Sequence, residues 1–179
     1  MRWVRFAVLV VVVAVLQAGF LDRFAVTSSN IKPDLLLVLM VFFAVESIPA
    51  GRTPRRPSYQ AELSFAIISS FVIGFVADVA TVGAVPGSRM ISFGLTGTTI
   101  AYARRTIAVR RMAYQALVVL AAGIVAGLLT GFLSRLRGRP GAGFGFVFFQ
   151  SVYSAVAAPF LFLLSRWWMR IRRRRFSRY

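Results

Sequence analysis

The sequence contains no cysteine and no histidine. Disulfides, thiol catalysis, histidine acid–base chemistry and haem or metal ligation through either residue are therefore excluded. Carboxylates are scarce: Asp22, Asp34, Glu46, Glu62 and Asp78 are the only ones. A glycosidase-like pair would have to come from Asp34 and Asp78, both near one end of their helices. No Walker-type phosphate loop is present. A serine nucleophile would lack histidine, and the single lysine is Lys32. No catalytic constellation, cofactor site or metal site emerges, so the expectation is a protein that is not an enzyme.

What the chain does have is apolar length and arginine. Hydrophobic residues make up 58% of it, mean hydropathy is +0.74 and the formal net charge is +17. An ordinary globular domain is nearer half apolar and carries more charge. Apolar runs separated by basic punctuation describe a polytopic membrane protein. A span needs roughly 20 mostly apolar residues, and six candidates appear: Trp3–Leu21, Asp34–Ile48, Leu63–Val79, Met90–Ala103, Met112–Leu133 and Phe144–Trp168. The second and fourth are short. Residues 1–168 form the expected membrane domain and 169–179 a basic tail. The start, Met1-Arg2-Trp3-Val4-Arg5 followed by an apolar run, resembles a signal peptide, but no small-x-small cleavage site closes it. It reads as an uncleaved first helix. Pro49–Gln60 is the only linker-like stretch, and no internal repeat is evident.

Loop charge gives the orientation. With six spans and a cytoplasmic N-terminus, the inside segments hold Arg2, Arg5, Arg52, Arg55, Arg56, Arg104, Arg105, Arg110, Arg111 and the basic residues from Arg166 onward. The outside holds only Arg23, Lys32, Arg89, Arg135, Arg137 and Arg139. This asymmetry places both termini in the cytoplasm. The loop Arg135-Leu136-Arg137-Gly138-Arg139 goes against the rule, either as a local exception or as an external contact to anionic lipid or a partner.

Several residues stand out within the spans. Ala66, Ser70, Gly74 and Asp78 recur at steps of four, on one helical face. Small residues let another helix approach closely, and a carboxylate in a membrane is a functional candidate. Asp78 either serves such a role or braces the following loop, with Arg89 as a partner. Gly123, Gly127 and Gly131 form two overlapping GxxxG units. They pack either within the protomer, against another protein's helix or against a second copy. Gly94, Gly97 and Thr98 add a similar surface. Pro33 and Asp34 suit the first turn of the second span. Glu46 closes that span, where the helix dipole disfavours it, so a partner among Arg52, Arg55, Arg56 or Arg104 is expected. Glu62 opens the third span. Pro159 frees the carbonyl of Ala155 and predicts a kink, while Gln150, Ser151 and Ser154 could bond across helices. Trp167 and Trp168 suit a membrane interface. Arg170, Arg172, Arg173, Arg174 and Arg175 suit an anionic leaflet. Nucleic acid is not expected, because no folded soluble module accompanies that tail.

Three stretches taken together resemble the rod shape-determining MreD family. They are Lys32-Pro33-Asp34-Leu35-Leu36-Leu37-Val38-Leu39, Gly74-Phe75-Val76-Ala77-Asp78 with the turn ending Val85-Pro86-Gly87, and Ala101-Tyr102-Ala103-Arg104-Arg105. The run Pro159-Phe160-Leu161-Phe162-Leu163-Leu164 then leads into the basic tail. The Pro/Arg-rich segment Pro49–Arg56 and the arginine-rich loop 135–139 depart from the family pattern. The resemblance implies an all-α, six-helix transmembrane bundle similar to the substrate-binding subunits of energy-coupling-factor transporters. It implies a non-enzymatic scaffold of the bacterial cytoplasmic membrane. Expected partners are the bitopic protein MreC, MreB filaments and the glycosyltransferase and transpeptidase of peptidoglycan synthesis. Asp34 and Asp78 carry over as motif positions, not as catalytic residues. The competing readings are a vitamin-capturing subunit of an energy-coupling-factor transporter and a membrane enzyme acting on lipid through Asp34 and Asp78.

Overall fold

The computed structural model describes residues 2–20, 32–46, 57–81, 86–103, 112–139 and 143–169. Among them are six α-helices and no strand. Helix α1 (Arg2–Val15) runs into a π-helical turn (Leu16–Phe20). Then follow α2 (Leu35–Glu46), α3 (Pro57–Ala80), α4 (Ser88–Ala103), α5 (Met112–Leu136) and α6 (Phe144–Met169). Helices α3, α5 and α6 are long and apolar enough to cross a membrane, whereas α1 and α2 are apolar but shorter. Large apolar side chains cover the outside: Val156 and Phe160 are each 72% exposed and Trp167 is 74% exposed. A contiguous surface of this kind is rare on a water-soluble monomer. Helix length and surface together point to a membrane protein.

Helix α2 is apolar on every side, LLLVLMVFFAV before its terminal glutamate, and such a helix belongs in an interior. Every residue from Leu35 to Val45 is buried. The other five helices pack around it. Two contacts set its register against α6. The Asp34 N–H donates to Ser154 Oγ, and Glu46 pairs with Arg166. Both pairs are separated by 120 positions, so α2 and α6 run parallel and in step. Helix α1 is held at the same two levels, through Trp168 Nε1 donating to the Arg5 carbonyl and through Gln17 bonding to Asp34.

The start of α2 lies deep within the bundle. Ser154 sits ten residues into α6, about 15 Å from Phe144. We call the end bearing Phe144 and Leu136 the upper end, and the end bearing Arg2 and Met169 the lower end. Aromatic rings lock the lower half. Phe6 meets Phe43 at 4.9 Å, Phe42 meets Phe162 at 5.3 Å and Trp3 meets Phe65 at 4.6 Å, all edge to face.

Small residues set the remaining packing. On α3 and α4, a Cβ at Gly74 would lie 2.7 Å from the Met90 Cα, one at Gly97 would lie 2.1 Å from Ser70 Oγ, and Gly94 lies under the Phe71 ring. On α5 and α6, a Cβ at Gly123 would lie 2.6 Å from Ser151 Oγ, and one at Gly127 would lie 2.4 Å from Val147 Cγ1. These glycines are where two backbones come close. Serine and threonine hydroxyls inside the bundle turn back on their own helices, as in Ser70 to Ala66 O, Thr98 to Gly94 O and Ser151 to Val147 O. This self-satisfaction lets polar side chains sit in an apolar interior.

Two helix starts change the reading of the residues around them. Helix α3 begins at Pro57, not Leu63, because proline suits a first helical turn and the polar residues after it extend the helix beyond its apolar stretch. The linker reading of Pro49–Gln60 is thus too long at its far end, and Glu62 lies in the second turn rather than opening the helix. Residues 47–56 lie outside the described residues. Helix α2 begins at Leu35, so Pro33 precedes it. Helix α6 continues through Pro159 from Phe144 to Met169.

Candidate functional site

The polar residues that sequence singled out converge above α2. Asp34 is the residue before the first helical turn, and its Oδ1 accepts the Leu37 N–H at 3.1 Å, the arrangement of an N-cap. Gln17, presented by the π-helical turn, donates from Nε2 to the same Oδ1 at 3.2 Å and accepts the Leu36 N–H at Oε1 at 3.0 Å. The Asp34 N–H is taken by Ser154 Oγ at 2.8 Å, and that hydroxyl donates on to the Gln150 carbonyl. The Asp34, Leu36 and Leu37 N–H groups of this buried helix start are thereby satisfied from three different parts of the chain.

The second half of the cluster belongs to α3 and α4. Asp78, near the end of α3, accepts the Arg89 N–H at 3.1 Å and the Met90 N–H at 3.0 Å, one on each oxygen. It caps α4, so it braces the loop before that helix. Arg89 does not pair with Asp78 through its guanidinium. That group reaches Asp34 instead, with Nη1 3.4 Å from Oδ2. The Arg89 side chain is 21% exposed and that of Asp34 is 8% exposed. Gly87, at φ 84°, makes the turn that brings Arg89 to the start of α4. One charge pair thus ties the N-terminus of α4 to that of α2.

This geometry suits a brace. Both carboxylates are occupied by helix-capping N–H groups, and Asp34 also by a guanidinium and an amide. The Asp34, Leu36 and Leu37 N–H groups at the start of α2 are already used. Among the described residues, no group of three acidic side chains could hold a metal ion.

A second charged contact closes the lower end. Glu46 pairs with Arg166, and both side chains are 15% exposed. The expected partners Arg52, Arg55, Arg56 and Arg104 lie outside the described residues, and the register of α2 on α6 puts Arg166 beside Glu46. Sequence reasoning missed this pair, and it missed Gln17 and Gln115. The signal available for Gln17 was a lone amide in an apolar run.

The remaining candidates fall elsewhere. Ser70, Gly74 and Gly94 face the α3–α4 contact, and Gly123 and Gly127 face α6 within the same chain. A partner helix cannot use the Gly127 face while α6 covers it. Gly131 continues that stripe and is half-buried. Pro159 is half-buried in α6. Of the polar residues expected to bond between helices, Ser154 does so, whereas Ser151 bonds within α6. Arg170 and Arg172–Arg175 lie outside the described residues. No family model, no curated protein and no solved structure matches the chain.

Proposed function

We propose that this chain is a non-enzymatic scaffold subunit of the bacterial cell-elongation machinery, of the MreD type. In this reading the bundle crosses the cytoplasmic membrane six times, with both termini in the cytoplasm. The observation that carries the reading is convergence. The stretches that resemble the family, Lys32–Leu39 and Gly74–Asp78 with the following turn, supply Asp34, Asp78 and the approach to Arg89, and these meet in one cluster. Loop arginines support the orientation. The partner is an MreC-like bitopic protein, with peptidoglycan synthases and MreB filaments in the same assembly. Its contact surface lies outside the glycine faces, which are filled by the chain's own helices.

A vitamin-capturing subunit is less favoured, because the donors at the start of α2 are spent on Gln17, Asp34 and Ser154. An enzyme using Asp34 and Asp78 is less favoured for the same reason. The test is purification of tagged protein from native membranes in mild detergent, with mass spectrometry of what accompanies it. Recovery of a single-span coiled-coil protein with cell-wall synthases supports the scaffold. Recovery of ATPase subunits or a retained vitamin overturns it.

A further inference from the structure

We propose that the C-terminal end of α5 is a binding site for the headgroup phosphate of an anionic phospholipid, held by Arg135 and Arg137. The inference rests on the membrane reading alone and does not depend on the partner proposed above.

Residues 137–139, which close α5, are held by a defined set of hydrogen bonds. Gly138 adopts φ 72°, its N–H donates to the Arg135 carbonyl at 2.9 Å, and the Arg139 N–H donates to the Ser134 carbonyl at 3.0 Å. This glycine-terminated helix end closes α5. Arg137 Nη1 donates to the Pro86 carbonyl, which pins the turn to the approach of α4. Both arginines are exposed. Arg137 spends one of its five N–H donors on Pro86, and no described residue pairs with Arg135. Two guanidinium groups two residues apart on a fixed turn suit a phosphate, which accepts paired N–H donors from each.

No carboxylate among the described residues is left to neutralise them. Asp34, Asp78 and Glu46 are committed to the contacts given above, and Glu62 lies toward the lower end of α3. The charge of Arg135 and Arg137 suits an anionic ligand.

The surface beneath the turn fits acyl chains. Leu128, Phe132 and Leu136 step along α5 at intervals of four, and Phe144, Phe148 and Val152 do so along α6; all six are exposed. At about 100° per residue, each stripe is turned away from the Gly127–Val147 contact in the same sense on two antiparallel helices, so both fall on one face of the hairpin. The Phe144 and Phe148 rings lie stacked with centroids 6.5 Å apart. A basic turn above a continuous apolar face matches a lipid with its phosphate at the turn and its chains along the face. It also gives a reason for arginines in a loop where topology disfavours them.

The test uses the full chain with a photoreactive benzoylphenylalanine in place of Phe144, reconstituted in bilayers of phosphatidylcholine with a minority of phosphatidylglycerol. Mass spectrometry of the crosslinked lipid gives the local ratio. The expected result is phosphatidylglycerol enriched over its bulk share by about fivefold per arginine, from the attraction of one cation to an anionic headgroup. The Arg135→Gln variant should lose part of the enrichment and Arg135→Gln/Arg137→Gln all of it. Arg172→Gln/Arg173→Gln, in the tail, should leave it unchanged. Because Arg137 also holds Pro86, the single Arg135→Gln variant decides the matter if the double variant fails to fold. A bulk lipid ratio at this position in the unsubstituted turn, or enrichment that survives Arg135→Gln undiminished, would overturn the site and leave Arg135 as a charge at a helix C-terminus only.

Discussion

Removing the charge of Asp34 should loosen the whole upper half of the bundle, and the effect should depend on Arg89. Asparagine at this position keeps an oxygen for the Leu37 N–H and for Gln17, so the cap survives in Asp34→Asn. What disappears is the attraction to Arg89, whose guanidinium stands 3.4 Å away with its side chain only 21% exposed. Breaking one side of a buried ion pair costs about 3–5 kcal/mol. The partial exposure of Arg89 and the long contact place this case lower, at about 2 kcal/mol. Asp34→Ala adds the loss of the cap, about 1 kcal/mol more, and leaves the Gln17 amide without its acceptor. Arg89→Gln should cost a similar amount to Asp34→Asn. The double variant should cost less than the two singles together, with a coupling of about 1–2 kcal/mol. The assay is reversible unfolding in mixed micelles, followed by tryptophan fluorescence, for the four proteins of the cycle. Additive losses would refute the argument, since they would mean that the pair does not tie α2 to α4.

Other substitutions probe the remaining contacts. Gly127→Ile places a branched side chain where Val147 already stands 2.4 Å from an ideal Cβ. It should destabilise the monomer by about 3 kcal/mol or more, read in the same unfolding assay, and not merely release a partner. Glu46→Arg and Arg166→Glu should each destabilise strongly, whereas the double exchange should recover much of the loss by restoring an ion pair between α2 and α6. Gln115 is 2% exposed, and its Nε2 has no hydrogen-bond partner among the described residues. Gln115→Leu should leave stability unchanged or raise it by about 1 kcal/mol, because an unsatisfied buried amide is removed.

The helices were legible in the sequence because lipid-embedded segments announce themselves by apolar length. Five of the six begin within two residues of their expected starts, and all six are present. The exception, α3, starts early because its first turn is polar, and hydropathy is blind to a helix that continues past its apolar part. Which faces are buried was far less legible. A membrane helix is apolar on both its lipid side and its inner side, so periodicity does not separate Phe162, which is buried, from Phe160, which is exposed. Small and polar residues carried that information. The spacing of Ala66, Ser70, Gly74 and Asp78 did mark an inner face, while the Gly123–Gly127 stripe left its partner undetermined until α6 was seen against it. Long-range charge pairing was the least legible part. Arg89 stands next to Asp78 in the folded chain through its backbone, yet its guanidinium serves Asp34, and Glu46 finds Arg166 because two helices run parallel. Neither pairing follows from local sequence.

In the proposed topology both chain ends lie on one side of the membrane and the α5–α6 connection on the other. A chain without cysteine makes the most direct test simple. Single cysteines would be introduced as Gly143→Cys, where a side chain meets nothing within 4 Å, and as Ser177→Cys in the tail. Intact cells would then be treated with a thiol reagent that cannot cross the membrane. The proposed topology requires labelling of Gly143→Cys in intact cells and of Ser177→Cys only after permeabilisation. Labelling of both from outside, or of Ser177→Cys alone, would contradict it.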